Sequence, residues 1–191
     1  MIKYFHIIKF LMTHNLNFLK ECWEIEFIKS EFSWIKLIKK IRKMENTYIA
    51  WWRLCNEMSK YGNKKQKKLA NKINRRLTKE YSVEIGIERT FIDKGLLICH
   101  YSSIILYDNI KIGKNFTIRQ NTTIGSTGKL KDSFFVIGDN VNIGASTTIV
   151  SDNLKIGNNV TIGAMSFINK DIPDNCTVYT EKSNIIKIKA H

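Results

Sequence analysis

Four histidines are the only side chains here with an ordinary proton exchange near neutral pH: His6, His14, His100 and His191. His6 and His14 fall in sequence that reads as helical, and His191 is the last residue, so structural or surface roles suffice for these three. His100 differs. It stands two positions after Ile98 inside a six-residue repeat, at a place that such repeats usually fill with a small polar residue on a corner. An imidazole there would lie on the outer surface of a rigid coil, and two readings stay open, a catalytic base or a surface histidine. Cys99 beside it raises a covalent route. The four cysteines, Cys22, Cys55, Cys99 and Cys176, are scattered with no CxxC spacing. That argues for reduced thiols in a cytoplasmic protein, not for a disulfide frame or a metal site.

The element that would hold His100 is written in the period. Ile112-Gly113-Lys114-Asn115-Phe116-Thr117 leads into Ile118 and Ile124. The phase returns at Ile137, Ile143 and Ile149, and again at Ile156, Ile162 and Ile168. An aliphatic residue every sixth position, often followed by Gly, predicts a β-solenoid whose flat sides each take one hexad and point one aliphatic inward. Glycine and asparagine would take the corners, because both tolerate positive φ. Asn115-Phe116-Thr117 and Asn159-Val160-Thr161 match a glycosylation pattern but read as corners. The step from Ile104 to Ile112 is eight, which places extra residues in a corner bulge there. Ser126 to Val136 is too polar and basic to extend the core and reads as a projecting loop.

Residues 1–82 have a different grammar. Gly62 is their only glycine, they lack proline, and apolar residues recur at three- and four-residue steps. Helices are predicted over about Thr47 to Tyr61 and Asn63 to Tyr81, with the aromatics packed between helices. This segment carries 15 Lys and 4 Arg against 7 Glu, or +12 of the formal +14. No zinc finger, aromatic RNA-binding signature or helix-turn-helix accompanies that charge, so nucleic acid is not the expected partner. A solvated basic face, an anionic cofactor or glycan, or a membrane surface fits better. The apolar stretches are too short and too often interrupted for a spanning helix or signal peptide. Residues 1–12 mix basic and aromatic side chains, which suits peripheral association with the inner face of a membrane. The expected organisation is a basic α-helical region at 1–82, a solenoid at 83–176, and a basic tail at 177–191 packed on the last coils.

Residues 81–176 resemble the serine acetyltransferase branch of the hexapeptide-repeat acyltransferases. The matching stretches are Gly95-Leu96-Leu97-Ile98-Cys99-His100, Ile112-Gly113-Lys114-Asn115, Thr122-Thr123-Ile124-Gly125-Ser126-Thr127-Gly128-Lys129, Ile162-Gly163-Ala164 and Lys170-Asp171-Ile172-Pro173-Asp174-Asn175. The resemblance implies an all-β left-handed parallel β-helix, here preceded by the α-helical region, and assembly as a homotrimer. N-terminal helices could join trimers in pairs. It implies His100 as general base on an acceptor hydroxyl, with acetyl-CoA as donor and neither an acyl-enzyme nor a metal. Backbone amides at tight turns would stabilise the oxyanion, an effect worth about 3–4 kcal/mol.

The family also places a carboxylate fifteen residues before its histidine. Ile85 stands there in this chain; one inserted residue would bring Glu84 into place, with Glu88 as the fallback. The resemblance assigns acetyl-CoA to a groove between subunits, beside Gly125, Ser126, Thr127, Gly128 and Lys129. Ala145 and Ala164 would leave room for the pantetheine arm, and Lys182 or Lys187 would meet the phosphates. Serine-specific members carry an aspartate before the histidine and an Arg-His-Pro segment after the loop. Cys99 and Ser133-Phe134-Phe135 stand at those places. The pattern is closer to acetyltransferases of capsule, exopolysaccharide and O-antigen clusters, which share a tail like Val178-Tyr179-Thr180-Glu181-Lys182. A surface-polysaccharide sugar or its precursor is then the expected acceptor, with Phe134 and Phe135 stacking on its ring and Cys99 beside it. Serine remains the alternative, and so does a scaffold without catalysis.

Overall fold

Because successive side chains of a strand point to opposite faces, a hexad with apolar residues at its first and fifth positions keeps both inside a coil. The computed structural model, which describes residues 2–43, 46–181 and 183, shows this directly. Ile112, Ile118, Ile124, Ile137, Ile143, Ile149, Ile156, Ile162 and Ile168 are buried, and Phe116, Val141 and Val160 join them. Thr122, Thr147 and Ser166 fill the equivalent positions near one corner. Their hydroxyls stay inside by donating to glycine carbonyls, Thr122 to Gly144 and Thr147 and Ser166 to Gly163.

The coils stack as a parallel β-solenoid of about five turns with three sheets. The first sheet holds β1 (Val83–Ile85), β4 (Ile104–Leu106), β7 (Thr123–Gly125), β10 (Thr148–Val150) and β13 (Phe167–Ile168). The second holds β2 (Thr90–Ile92), β5 (Ile110–Ile112), β8 (Phe134–Ile137) and β11 (Asn153–Ile156). The third holds β3 (Leu97–Ile98), β6 (Thr117–Ile118), β9 (Asn142–Ile143), β12 (Thr161–Ile162) and β14 (Thr177–Val178). All named pairings are parallel, as a solenoid requires.

The corners divide labour between asparagine and glycine more sharply than the sequence suggests. Positive φ falls on Asn115, Asn140, Asn159 and Asn175, stacked at one corner. Their amides form a ladder in which each Nδ2 donates to the next Oδ1 at 2.9 Å. The preceding glycines do not take positive φ. Gly138 is there for close approach, since a Cβ on it would sit 2.7 Å from the backbone of Gly157. The Asp174 carboxylate accepts from the Asn158 backbone at the same corner, which holds it below the usual carboxylate range.

Residues before Val83 form α1 (Ile2–Thr13), α2 (Asn17–Cys22) running into a π-helical segment (Trp23–Ile28), α3 (Trp34–Lys43), α4 (Tyr48–Tyr61) and α5 (Lys64–Tyr81). Asn63 and Gln66 start α5 with a reciprocal capping box. The helices close the open end of the solenoid. A first coil has no coil before it, so its backbone groups on that side need side-chain partners. Tyr48 donates to Val83 O, Trp52 and Asn74 to Ile85 O, and Asn56 to Ile87 O and Thr90 O. Arg53 donates to Ile92 O and Asp93 O, while Glu26 accepts from Gly95 N and Leu96 N. The helical region is thus the cap of the β-structure.

Two histidines join this cap. His14 stacks on Phe10, with ring nitrogens 3.1 Å from the carbonyl oxygens of Phe10 and Tyr61, and the His6 ring meets Phe5 edge to face. Burial pushes the Cys22 and Cys55 thiols up to about 12, so both stay protonated at neutral pH. No helix of the described residues is long and apolar enough to cross a membrane.

Candidate active site

Backbone pairing locates the irregularity that the six-residue phase conceals. Ile98 pairs with Ile118 before one corner, and Ile105 with Thr123 after it. The first coil rounds that corner with residues 99–104, where the second uses 119–122. Cys99 N donates to Ile118 O and Asn121 N donates to Ser102 O. Ser103 and Asn121 both have positive φ. Cys99 therefore stacks on Arg119 and Ser102 on Gln120, which leaves His100 and Tyr101 as the excess. The bulge expected between Ile104 and Ile112 is not there: Ile104 and Leu106 both face inward, and the phase continues from Leu106 to Ile112.

The two bulged residues face different surroundings. His100 is exposed, and no side chain of the described residues bonds to its ring. Tyr101 turns toward the helical cap, its ring 5.6 Å from Tyr48 and 6.0 Å from Tyr81, with Tyr48 and Tyr81 themselves 5.6 Å apart. Burial pushes the Tyr101 phenol up, so it packs as a neutral ring. The aromatic trio holds the base of the bulge while leaving the imidazole free.

Glu84 lies on the outer face of the first sheet, paired with Ile105, in the strand next to the one that the bulge enters. No hydrogen bond or ion pair joins it to His100 in the single chain. Glu88 sits at the far corner of that sheet and accepts from Asn71 on α5. Cys99 is half-buried at the start of the bulge.

Following the His100 corner along the solenoid, Ser102, Gln120, Ala145 and Ala164 succeed one another, linked by Asn121 N to Ser102 O, Ser146 N to Gln120 O and Met165 N to Ala145 O. The edge carrying the exposed imidazole thus runs into the two alanines. Gln120 was not flagged by its sequence context. Its Oε1 is enclosed and has no hydrogen-bond partner among the described residues. Arg119 on the same coil donates to Asn142 Oδ1 and Ile143 O.

The loop residues occupy the other edge of the first sheet. Gly125 ends β7 and residues 126–133 project before β8 begins at Phe134. Gly128 has φ +79°, with open space around the missing Cβ. Asp152, from the next coil, organises this loop. It accepts from Thr127 Oγ1 at 2.5 Å, Ser126 Oγ at 2.9 Å and Ser133 Oγ at 3.3 Å. The Thr127 hydroxyl, then Ser126, Ser133 and the Lys129 N–H, hold its carboxyl below the ordinary range. Neither Asp152 nor its hydroxyl cluster is visible in the repeat, because a lone aspartate between hexads reads as a surface charge.

Phe134 is exposed, but Phe135 is not available to a ligand: it is wholly buried and packs on Tyr107 at 5.6 Å. Lys182 and Lys187 lie outside the described residues, as does most of the tail. Among the described residues no group of three His, Cys, Asp or Glu side chains is placed to hold a metal ion.

Asp152→Ala should release the loop. A carboxyl with a lowered pKa contributes anchoring that is present at neutral pH and lost as pH falls through its own lowered value. The expected result is faster amide hydrogen exchange across residues 126–133 in Asp152→Ala at neutral pH, with the wild-type loop approaching the variant on acidification. Equal exchange at neutral pH would count against this anchoring.

No protein-family model matches the sequence, and no curated protein matches it either. Solved structures do. Serine acetyltransferase from Brucella abortus strain S19 in complex with coenzyme A aligns at 27% identity and TM-score 0.63, over 72% of this chain and 54% of that one. Soybean serine acetyltransferase complexed with serine aligns at 28% and 0.61, over 73% and 56%. The Neisseria gonorrhoeae serine acetyltransferase in complex with serine aligns at 27% and 0.58, over 68% and 52%. The chain spans little more than half the length of these proteins. Over most of its own length it is similar to serine acetyltransferases.

Proposed function

We propose that this chain is an acetyl-CoA-dependent O-acetyltransferase in which His100 is the general base, Glu84 orients its ring, and the acceptor is a hydroxyl of a surface-polysaccharide sugar or its precursor. The observation that carries the reading is the two-residue bulge. It presents a free imidazole at one edge of a solenoid similar to those of serine acetyltransferases, above a column ending in Ala145 and Ala164.

The donor supplies an activated acetyl group as a thioester. Ala145 and Ala164 would leave room for its arm. Gly125, Ser126, Gly128 and Lys129 would line its path at the other edge, with the Lys129 ammonium available to phosphate. His100 would take the acceptor's proton as attack begins, a role suited to a ring that no described side chain already occupies.

The two sets of residues flank the first sheet, so one chain does not bring them together. A homotrimer, in which one protomer's His100 edge meets its partner's loop edge, would complete the site. Phe134 at the loop edge would then face an acceptor held at Cys99 and His100.

Cys99 offers no charge to an α-ammonium group, which favours a sugar over an amino acid. L-Serine is the second reading, favoured by the solved structures with serine bound. Thiol release from acetyl-CoA, measured against L-serine and a panel of sugars and nucleotide sugars, separates the two. The sugar reading expects turnover on a glycan acceptor well above that on serine; efficient turnover on L-serine alone would replace it.

A further inference from the structure

We propose that α3 docks the protein on an anionic lipid bilayer. Its ten residues hold five cations and no acid. Lys40 turns inward, donating to Ile28 O and lying over Phe27. Lys39, Arg42 and Lys43 are exposed, and among the described residues none of them pairs with a carboxylate. Leu37 anchors the opposite side in the core.

Between the cations the helix presents apolar side chains to solvent: Trp34 is 39% exposed, Ile38 49% and Ile35 65%. Ile25, 48% exposed, lies in the π-helical segment on which α3 packs. The Trp34 ring is fixed edge-to-face against Trp23 and Phe32, with Lys20 over it, and its indole N–H has no acceptor among the described residues. A rigid indole with a free N–H suits the level of lipid headgroups.

The charge selects the occupant. A helix with a cationic flank and an apolar face complements an interface that is anionic outside and hydrocarbon within. A soluble acidic glycan would use the cations and leave three large apolar side chains in water. A second copy meeting the first across a twofold axis would press the same cations together. With no spanning helix among the described residues, the association would be peripheral.

The test is cosedimentation of the full chain with vesicles of phosphatidylcholine, with and without phosphatidylglycerol. Binding is expected only with phosphatidylglycerol, falling with added salt, and with a blue shift of tryptophan fluorescence that Trp34→Phe removes. The triple variant Lys39→Gln, Arg42→Gln, Lys43→Gln should bind about 100-fold more weakly, and Ile35→Asp with Ile38→Asp should abolish binding. The glutamine variant alters exposed side chains only, so a folding defect does not obscure its result. Equal binding to both vesicles, no binding, or unchanged binding by the glutamine variant overturns the proposal. So does a lower oligomeric mass of the aspartate variant, which would make this face a contact between copies of the chain.

Discussion

Replacing His100 by alanine should lower the turnover of acetyl transfer by roughly two to four orders of magnitude while the protein stays folded. The two halves of that statement rest on different observations. The ring is exposed and bonded to no described side chain, so truncation removes no packing and leaves no buried polar group unpaired. The bulge keeps its shape through Tyr101, whose contacts with Tyr48 and Tyr81 are untouched. The activity loss follows from chemistry, since no other imidazole among the described residues sits at the solenoid edge. Thiol release gives the rate, and thermal unfolding by circular dichroism gives the fold. Glu84→Gln should lower kcat with little change in KM if its carboxylate orients the ring, and Glu88→Gln should do neither. A His100→Ala protein that turns over normally would remove the histidine from the mechanism.

What the repeat disclosed, and what it hid, follow from how each feature depends on neighbours. The aliphatic period is local and strict, so the buried isoleucines from Ile112 to Ile168 could be read directly. The asparagine corners were equally plain, because positive φ narrows the choice of residue. The bulge at His100 was hidden by arithmetic: Ile98 to Ile104 is one hexad, and only backbone pairing reveals that Leu106, not Ile104, stacks on Ile124 as the first residue of the next hexad. Phe135 misled for a related reason. After a loop of unknown length the register is free, and a shift of one residue exchanges the outward and inward phenylalanines. Gln120 and Asp152 needed three dimensions, since their environments come from other coils. The cap was the least legible of all, because its charged members read as parts of a solvated basic face.

Arg53 is the sharpest case, and Arg53→Ala should destabilise the protein by about 3–5 kcal/mol. Its side chain is 1% exposed and that of Glu26 0%. Arg53 Nε donates to Glu26 Oε2 at 2.8 Å and Nη2 to Oε1 at 2.5 Å, while Nη1 and Nη2 also reach Ile92 O and Asp93 O. Burial alone would lower the guanidinium pKa; the Glu26 carboxylate beside it prevails and raises it. Truncation would strand that carboxylate with only Gly95 N–H and Leu96 N–H as donors, and leave two carbonyl groups of the first coil unpaired. Arg53→Lys should recover only part of the loss, because an ammonium cannot span the carboxylate and two carbonyls as a planar fork does. Arg53→Met with Glu26→Leu should cost less than Arg53→Ala, since it does not strand the Glu26 carboxylate. Urea unfolding midpoints order the three variants. The consequence reaches the site: residues 93–96, held by this pair, lead through Leu97 and Ile98 straight into the bulge, so the helices that close the solenoid also fix the strand from which His100 projects.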